Sequence, residues 1–573
     1  MNPVAAIAIH VRRSRRAPLL LMLCATLAEA QVQGQDAGNA LREATPATPA
    51  PPQRPAQAPP VLAPVQPPPP AAGASQATFV LSEVAFSGNT RFPSPQLAAL
   101  MRDHIGRRVT LADLQVLAER VTALYRDHAY ILTRTVVPPQ DVSNGRVAFS
   151  VLEGRLGRVR IERLDDVPLR EGLVDAIAAR LPTDRPLTHH ELERAVLMLS
   201  DLPGVTSQAA LETGDAAGTY DLMLELKAAP RTSFSADLDN QGSRATGEVR
   251  VGASVRVNSP LRRGDNLDLR LLTSIDKGLH FGRLSYETPL GTRGWRASLA
   301  YGRVQYDLGK DFAALDAYGS ADVAELAATY PAVRSRNRNL FLRAGLEAKR
   351  LEDHVGAVAL LSKKRTHNLN LGLVFEQRDG LLGGGYTSAG LNLYGGELSL
   401  RSQDELALDQ GPFGRDTDGR YVRLGYNLSR LQSLGRTLSL YLALAGQQAN
   451  RNLDSADRIA IGGPRAVRAY SSATGIGDEG AIANLELRWS VVPDASVSAF
   501  YDVGRVRFNR RPTIPGVDNH RTLAGPGVAV YWNVLKGAAL RASVAWPKRD
   551  AGPNATRHDQ RSPRAYAQLV KMF

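Results

Sequence analysis

The 573-residue chain has a single cysteine, Cys24. Everything beyond residue 24 is therefore free of disulfides and thiolate metal sites. That suits a protein kept unfolded while it passes through an oxidising compartment. Hydrophobic residues make up 43% of the chain, yet no run reaches the about 20 apolar residues a membrane helix needs. The sequence also lacks a G-x-x-x-x-G-K-[ST] phosphate loop, a G-x-S-x-G elbow and an H-E-x-x-H pair, and its 10 histidines are scattered. No enzyme, cofactor or metal is read from it. The net charge of +14 would suit nucleic acid, but Lys and Arg are not clustered beyond the N-terminus. Arginines spread over alternating positions fit a polar lumen, or loops facing anionic lipid, so no nucleic-acid partner is expected.

What is present begins with a leader. Arg12, Arg13, Arg15 and Arg16 precede the apolar stretch Ala17 to Ala28, and Ala28-Glu29-Ala30 follows. This order predicts a secretory signal peptide over residues 1–30, cleaved after Ala30. Residues 31–76 contain no aromatic residue. Asp36 to Ala44 reads as a short helix. From Pro46 to Pro70, 12 of 25 residues are proline, which predicts a polyproline-type spacer. At about 3.1 Å per residue it would reach about 75 Å.

Residues 77–155 read as β-α-α-β-β. Strand Phe79 to Phe86 leads to a short helix from Pro95. A longer helix opens at Thr110 with Asp113 three residues on, and carries the apolar stripe Leu111, Leu114, Ala118, Val121, Leu124 and Tyr125, with Leu117 beside it. Ile131 to Val137 and Arg146 to Leu152 follow as strands. Residues 156–229 repeat the order, with a second capping box at Thr188-His189-His190-Glu191. The adjacent histidines have no further ligands at useful spacing and read as solvated first-turn residues.

From Pro230 to the end the texture is constant. Segments such as Leu267-Asp268-Leu269-Arg270-Leu271 and Leu438-Ser439-Leu440-Tyr441-Leu442 alternate apolar and polar residues, with turn residues between them. Period-2 alternation over such a length predicts a transmembrane β-barrel with lipid outside and a polar lumen. At about 20 residues per strand and turn, residues 230–573 hold about 16 antiparallel strands. A soluble solenoid would show a short fixed repeat, and none is present.

Two motifs lie late in this region: Gly462-Gly463-Pro464-Arg465-Ala466-Val467-Arg468-Ala469-Tyr470, and Phe500-Tyr501-Asp502-Val503-Gly504. Alone, they fit either a lumenal pair or a surface arginine and a strand-end acid that never meet. Together with the paired β-α-α-β-β units, they make the chain resemble the two-partner secretion transporters, the hemolysin and filamentous-hemagglutinin translocators of the BamA superfamily. In that family two periplasmic POTRA domains precede the barrel. Asp239-Asn240-Gln241-Gly242-Ser243 followed by Thr246-Gly247 resembles the family's first barrel hairpin.

The resemblance covers residues 77–573 and implies POTRA domains at 77–155 and 156–229. It implies a loop folded back into the lumen, in which Gly462, Gly463, Val467, Arg468 and Tyr470 form the motif. Arg468 would pair with Asp502 on the strand that also carries Gly504. It further implies an outer-membrane pore that secretes a large β-helical partner protein, unfolded in transit. Outer-membrane lipid and the barrel assembly machinery are the other implied partners. A passive porin and an assembly factor for other barrels are the alternatives.

The family usually has glycine after the arginine. Ala469 stands there instead, and a loop needing φ > 0 at that point would be strained. Unfolded clients can add a strand to an open sheet edge. The candidate edges are Ile131 to Val137, with Ile131, Thr133, Thr135 and Val137, and Tyr220 to Leu226, with Leu222 and Leu224. The family's N-terminal helix plugs the barrel at rest, a role implied here for Asp36 to Ala44.

Overall fold

The computed structural model describes residues 36–45, 78–216, 218–513, 516–548 and 562–573. The expected leader and proline-rich spacer lie outside the described residues.

Two small α/β units come first, each with a three-stranded sheet. In the first, Arg146–Leu152 is central, parallel to Glu83–Ser87 and antiparallel to Arg134–Val136. In the second, Thr219–Ala228 is central, parallel to Arg155–Arg163 and antiparallel to Val205–Thr213. The strand order and directions are the same, so the repeated sequence pattern is a repeated topology. Both main helices start at reciprocal capping boxes, Thr110 with Asp113 and Thr188 with Glu191. Each box satisfies two amides that a helix start would otherwise leave unpaired. Helix Leu111–Asp127 buries Leu114, Leu117, Val121 and Tyr125 against Val147 and Phe149. Helix His189–Ser200 buries Leu192, Val196 and Leu199 against Leu222, Leu224 and Leu226.

Both expected client-binding edges need correction. Leu222 and Leu224 lie on the central strand and are 0% and 1% exposed, so neighbours flank them on both sides. Arg134–Val136 is at an edge, but Ile131, Thr133 and Val137 fall outside the strand. The Thr135 amide donates to Thr122 Oγ1 of the long helix at 3.1 Å, and Thr133 and Thr135 are buried. The helix thus closes this edge. Arg155–Arg163 and Val205–Thr213, nine residues each, are the outer strands of the second unit. Which strand of a three-stranded sheet lies in the middle is set by packing order, which alternation along one strand does not encode.

The barrel is closed and has sixteen antiparallel strands. Its last strand, Arg564–Met572, pairs with its first, Thr232–Asp239. Closure leaves no row of unpaired amides in the bilayer. Strands range from 8 residues (Ala538–Ala545) to 20 (Leu360–Asp379), so the longest extend past the hydrocarbon at one end. The alternation is clear on Ala495–Arg507. Ser496, Ser498, Phe500, Asp502 and Val506 are buried inside, while Val497, Tyr501 and Val503 face out.

The second α/β unit sits on the barrel end that carries the short turns. Arg334 binds Asp201 at 2.7 Å, Arg262 binds Asp166 at 2.8 Å, and Ser259 Oγ donates to the Pro203 carbonyl at 2.7 Å. At the opposite end are the longer loops, and one of them, residues 450–478, turns inward.

Candidate functional site: a latched lumenal hairpin and a seated helix

The inward loop is a hairpin. Ile459–Ala460 pairs with Ile476–Gly477. Beyond that pairing the chain tightens: the Val467 amide donates to the Ile461 carbonyl at 3.0 Å, and the Gly463 amide to that of Tyr470 at 3.1 Å. This return of the chain on itself explains the glycine pair. Gly463 has φ +113°, and a Cβ on Gly462 would lie 2.3 Å from the Ser471 carbonyl oxygen. Val467 is fully buried against Gly504, where a Cβ would come within 3.0 Å of Val467 Cγ2. Tyr470 is also fully buried; its hydroxyl donates to the Ala524 carbonyl at 3.2 Å, and its own carbonyl accepts from the Tyr566 hydroxyl at 2.8 Å.

Arg468 points at the wall. Its Nε lies 2.8 Å from Asp502 Oδ2 and its Nη2 2.9 Å from Oδ1, a two-pronged contact; its backbone amide also donates to Oδ2, at 3.1 Å. Nη1 reaches Glu486 Oε2 at 3.1 Å. Asn484 Nδ2 donates to Asp502 at 2.8 Å and to the Ala466 carbonyl at 3.0 Å, so it ties the wall to the loop a second time. Arg488 binds the other oxygen of Glu486 at 2.9 Å. The guanidinium carbon lies 3.3 Å from the Phe500 ring centroid. Two cations therefore face two anions in a site where Asp502 is 0% exposed.

Planar bidentate geometry favours arginine over lysine here. At this burial the pair is weakly screened by salt. Ala469 is absent from the residues with positive φ, so the missing glycine costs no backbone strain. Its methyl packs on Gly525, where a Cβ would come within 2.7 Å.

The motif residues thus converge as a group, but Asn484, Glu486 and Arg488 escaped the sequence reading. Their signal was available: they alternate with Leu485, Leu487 and Trp489, which is the lumenal parity of strand Glu479–Val492, and Asn484 pairs in register with Asp502. Loop acids add further tethers. Asp454 binds Lys364 and Asp457 binds Lys349, both at 2.9 Å, and Asp478 binds Arg415 at 3.0 Å, while Asp478 also joins Arg458 of its own loop at 3.1 Å.

A helix, Ala37–Ala44, lies in the same lumen. Asp36 caps it, accepting from the Asn39 amide at 2.9 Å. The Ala37 amide donates to Asp353 of the wall at 2.8 Å, and Arg250 donates to the Glu43 carbonyl at 3.0 Å. Ala37, Ala40, Leu41 and Ala44 pack on lumen-facing Phe281, Val304, Tyr306 and Val323. On its other side a Cβ on Gly38 would lie 2.5 Å from the Ala456 amide of the inward loop. The helix is wedged between wall and hairpin.

A closed lipid-facing barrel, an inward hairpin whose Arg468 is paired with the wall and a pair of α/β units at one end together define an outer-membrane protein-translocation barrel. Residues 218–530, more than half the chain, match the family described as haemolysin secretion/activation protein ShlB/FhaC/HecB, and residues 79–154 match the ShlB-type POTRA domain. The chain belongs to this haemolysin secretion/activation family.

It is 26% identical over 493 residues to the heme/hemopexin transporter protein HuxB of Haemophilus influenzae (strain 86-028NP), covering 84% of this chain and 86% of that one. It is 22% identical over 439 residues to the outer membrane transporter CdiB of Escherichia coli O6:K15:H31, covering 73% and 70%. Among solved structures, CdiB from Escherichia coli superposes with a TM-score of 0.69 over 88% of this chain and 92% of that one, at 18% identity. CdiB from Acinetobacter baumannii gives 0.60 over 98% and 99%, also at 18% identity. The protein is a two-partner secretion transporter of the outer membrane, with its POTRA region in the periplasm and a secreted protein as its partner. The family consists of transporters rather than enzymes.

Proposed function

We propose that the Arg468–Asp502 contact is the latch that keeps the hairpin in the lumen, and that helix Ala37–Ala44 is the resting plug. The observation that carries this reading is the sharing of contacts. The helix rests on the inward hairpin at Ala456, and Arg42 Nη1 lies 3.4 Å from the carbonyls of Ser455 and Arg458. Moving the helix therefore unloads the hairpin. The helix lies beyond a proline-rich segment long enough to let it leave without unfolding the barrel.

The client is a large β-helical protein that arrives unfolded. It adds a strand to Val205–Thr213 of the second POTRA unit through backbone hydrogen bonds, which demand little of its sequence. That edge lies beside the barrel end where Asp201 holds Arg334, so a captured segment is delivered at the pore mouth. The heme/hemopexin transporter names of the HuxB relatives make a secreted protein of heme or hemopexin transport the first client to try. Insertion of the barrel itself draws on the barrel assembly machinery.

Co-expression with a candidate client, a large exported β-helical protein, tests the reading. Client in the medium only when the transporter is present supports it. Client that stays in the periplasm regardless refutes it.

A further inference from the structure

On the outer face of strands Arg338–Val355 and Leu360–Asp379 the side chains change character abruptly. Leaving the POTRA end, the outward positions of the first strand run Leu340, Leu342, Ala344, Leu346 and Ala348, then Arg350. The outward positions of the second run Phe375, Leu373, Leu371 and Leu369, then His367, Arg365 and Lys363. Eight residues at about 3.3 Å each, tilted about 40°, rise about 20 Å, which is close to the apolar band of an outer-membrane barrel. Arg350 and Arg365 therefore stand just past the hydrocarbon on the cell-exterior side.

They are direct cross-strand partners. Like charges in that position repel. The outward acids around them are already engaged: Asp322 with Arg303 at 3.3 Å, Glu352 with Lys363 at 3.4 Å and Glu397 with Arg420 at 3.5 Å. Among the described residues, neither Arg350 nor Arg365 has an ion pair, and both are exposed. Directly below lies a mostly apolar groove of about 750 Å³, lined by Leu346, Ala348, His367, Leu369 and Val422 and bordered by the Glu397–Arg420 pair. It exists because Gly395 stands in register between Leu369 and Val422, where a Cβ would have no neighbour within 4 Å.

A pair of unpartnered guanidinium groups above an apolar groove has the layout of a site for an anionic lipid. We propose that Arg350 and Arg365 together bind a phosphate of the phosphorylated glycolipid that forms the outer leaflet, with one of its acyl chains in the groove at Gly395. The phosphate relieves the repulsion between the two arginines. It also fastens the barrel on the side where its longest strands leave the membrane.

Binding is measured by native mass spectrometry on the purified full-length chain, with folding checked by heat-modifiable migration. The probes are bisphosphorylated lipid A, the same lipid stripped of phosphate, and inorganic phosphate. The wild type is expected to retain bisphosphorylated lipid A in preference to the stripped form. Arg350→Ser combined with Arg365→Ser is expected to weaken it about thirtyfold, from the attraction of two cations near a charged surface. Gly395→Leu is expected to weaken the lipid while leaving both arginines in place. Equal binding of stripped and phosphorylated lipid by the wild type overturns the proposal without any variant. So does an unchanged affinity in the double variant, or inorganic phosphate binding as tightly as the lipid.

Discussion

Arg468→Ala is the sharpest perturbation of the latch. Among the described residues, it removes the only arginine that reaches Asp502 and one of the two that reach Glu486. Asp502 keeps its bond from Asn484 but loses its counter-charge while remaining fully buried. Stranding one member of a buried pair costs about 3–5 kcal/mol. At 1.36 kcal/mol per decade, the docked-to-released ratio of the hairpin falls about a hundredfold to a few thousandfold. The sixteen-strand ladder does not depend on this contact, so the barrel still inserts.

The expected phenotype is a folded barrel in the outer membrane and little client in the medium. Heat-modifiable migration reports the first and client immunoblotting the second. Protease added outside the cells reports the hairpin, which becomes cleavable once released. Arg468→Lys keeps the charge but loses the two-pronged geometry, and falls between. Wild-type secretion by Arg468→Ala, with the hairpin still protected, would refute the reasoning.

Three further outcomes follow from the same contacts. Gly38→Val drives side-chain atoms into the Ala456 backbone and unseats the helix; single-channel conductance in planar bilayers rises, and an unchanged conductance counts against the plug. A photo-crosslinker at Gln208, exposed on outer strand Val205–Thr213 of the second POTRA unit, captures the client, while one at Thr135 does not; the reverse pattern sinks the revised docking edge. In the first POTRA unit, burial raises the Glu153 pKa, but bonds from Thr90, Arg91 and Tyr125 outweigh burial and leave it below the usual 4.5. A depressed carboxylate pKa gives stability that is full above 4.5 and lost as the pH falls below it. Amide exchange over residues 83–152, corrected for intrinsic rates, therefore accelerates in that acid range in the wild type and changes less in Glu153→Gln.

The barrel was legible because alternation is enforced strand by strand: with lipid on one side and water on the other, each strand states its own faces. The duplicated α/β unit was legible through its two capping boxes, which are local signals. The pairing of Arg468 with Asp502 came from the family resemblance rather than from spacing. Glu486 and Asn484 were within reach, since they share the lumenal parity of their strand, one strand over from Asp502. Two features were not readable. The sheet order that buries Leu222 and Leu224 depends on which strand packs between the others. The closure of the Thr135 edge depends on a hydroxyl, Thr122 Oγ1, thirteen residues earlier on a helix. Ala469 is accommodated because the left-handed position of the motif is Gly463, while position 469 has no positive φ.

The account rests on passage of a client through the lumen. Asn392 and Leu391 are neighbours on one strand; Asn392 faces inward beside Gly372 and Leu391 faces lipid. With Cys24 the only native cysteine, a cysteine placed at either position reports one face of the wall. A client stalled in transit by a folded C-terminal fusion, and carrying its own cysteine, is expected to crosslink to Asn392→Cys and not to Leu391→Cys. Crosslinking to Leu391→Cys alone, or equally to both, would contradict transport through this pore.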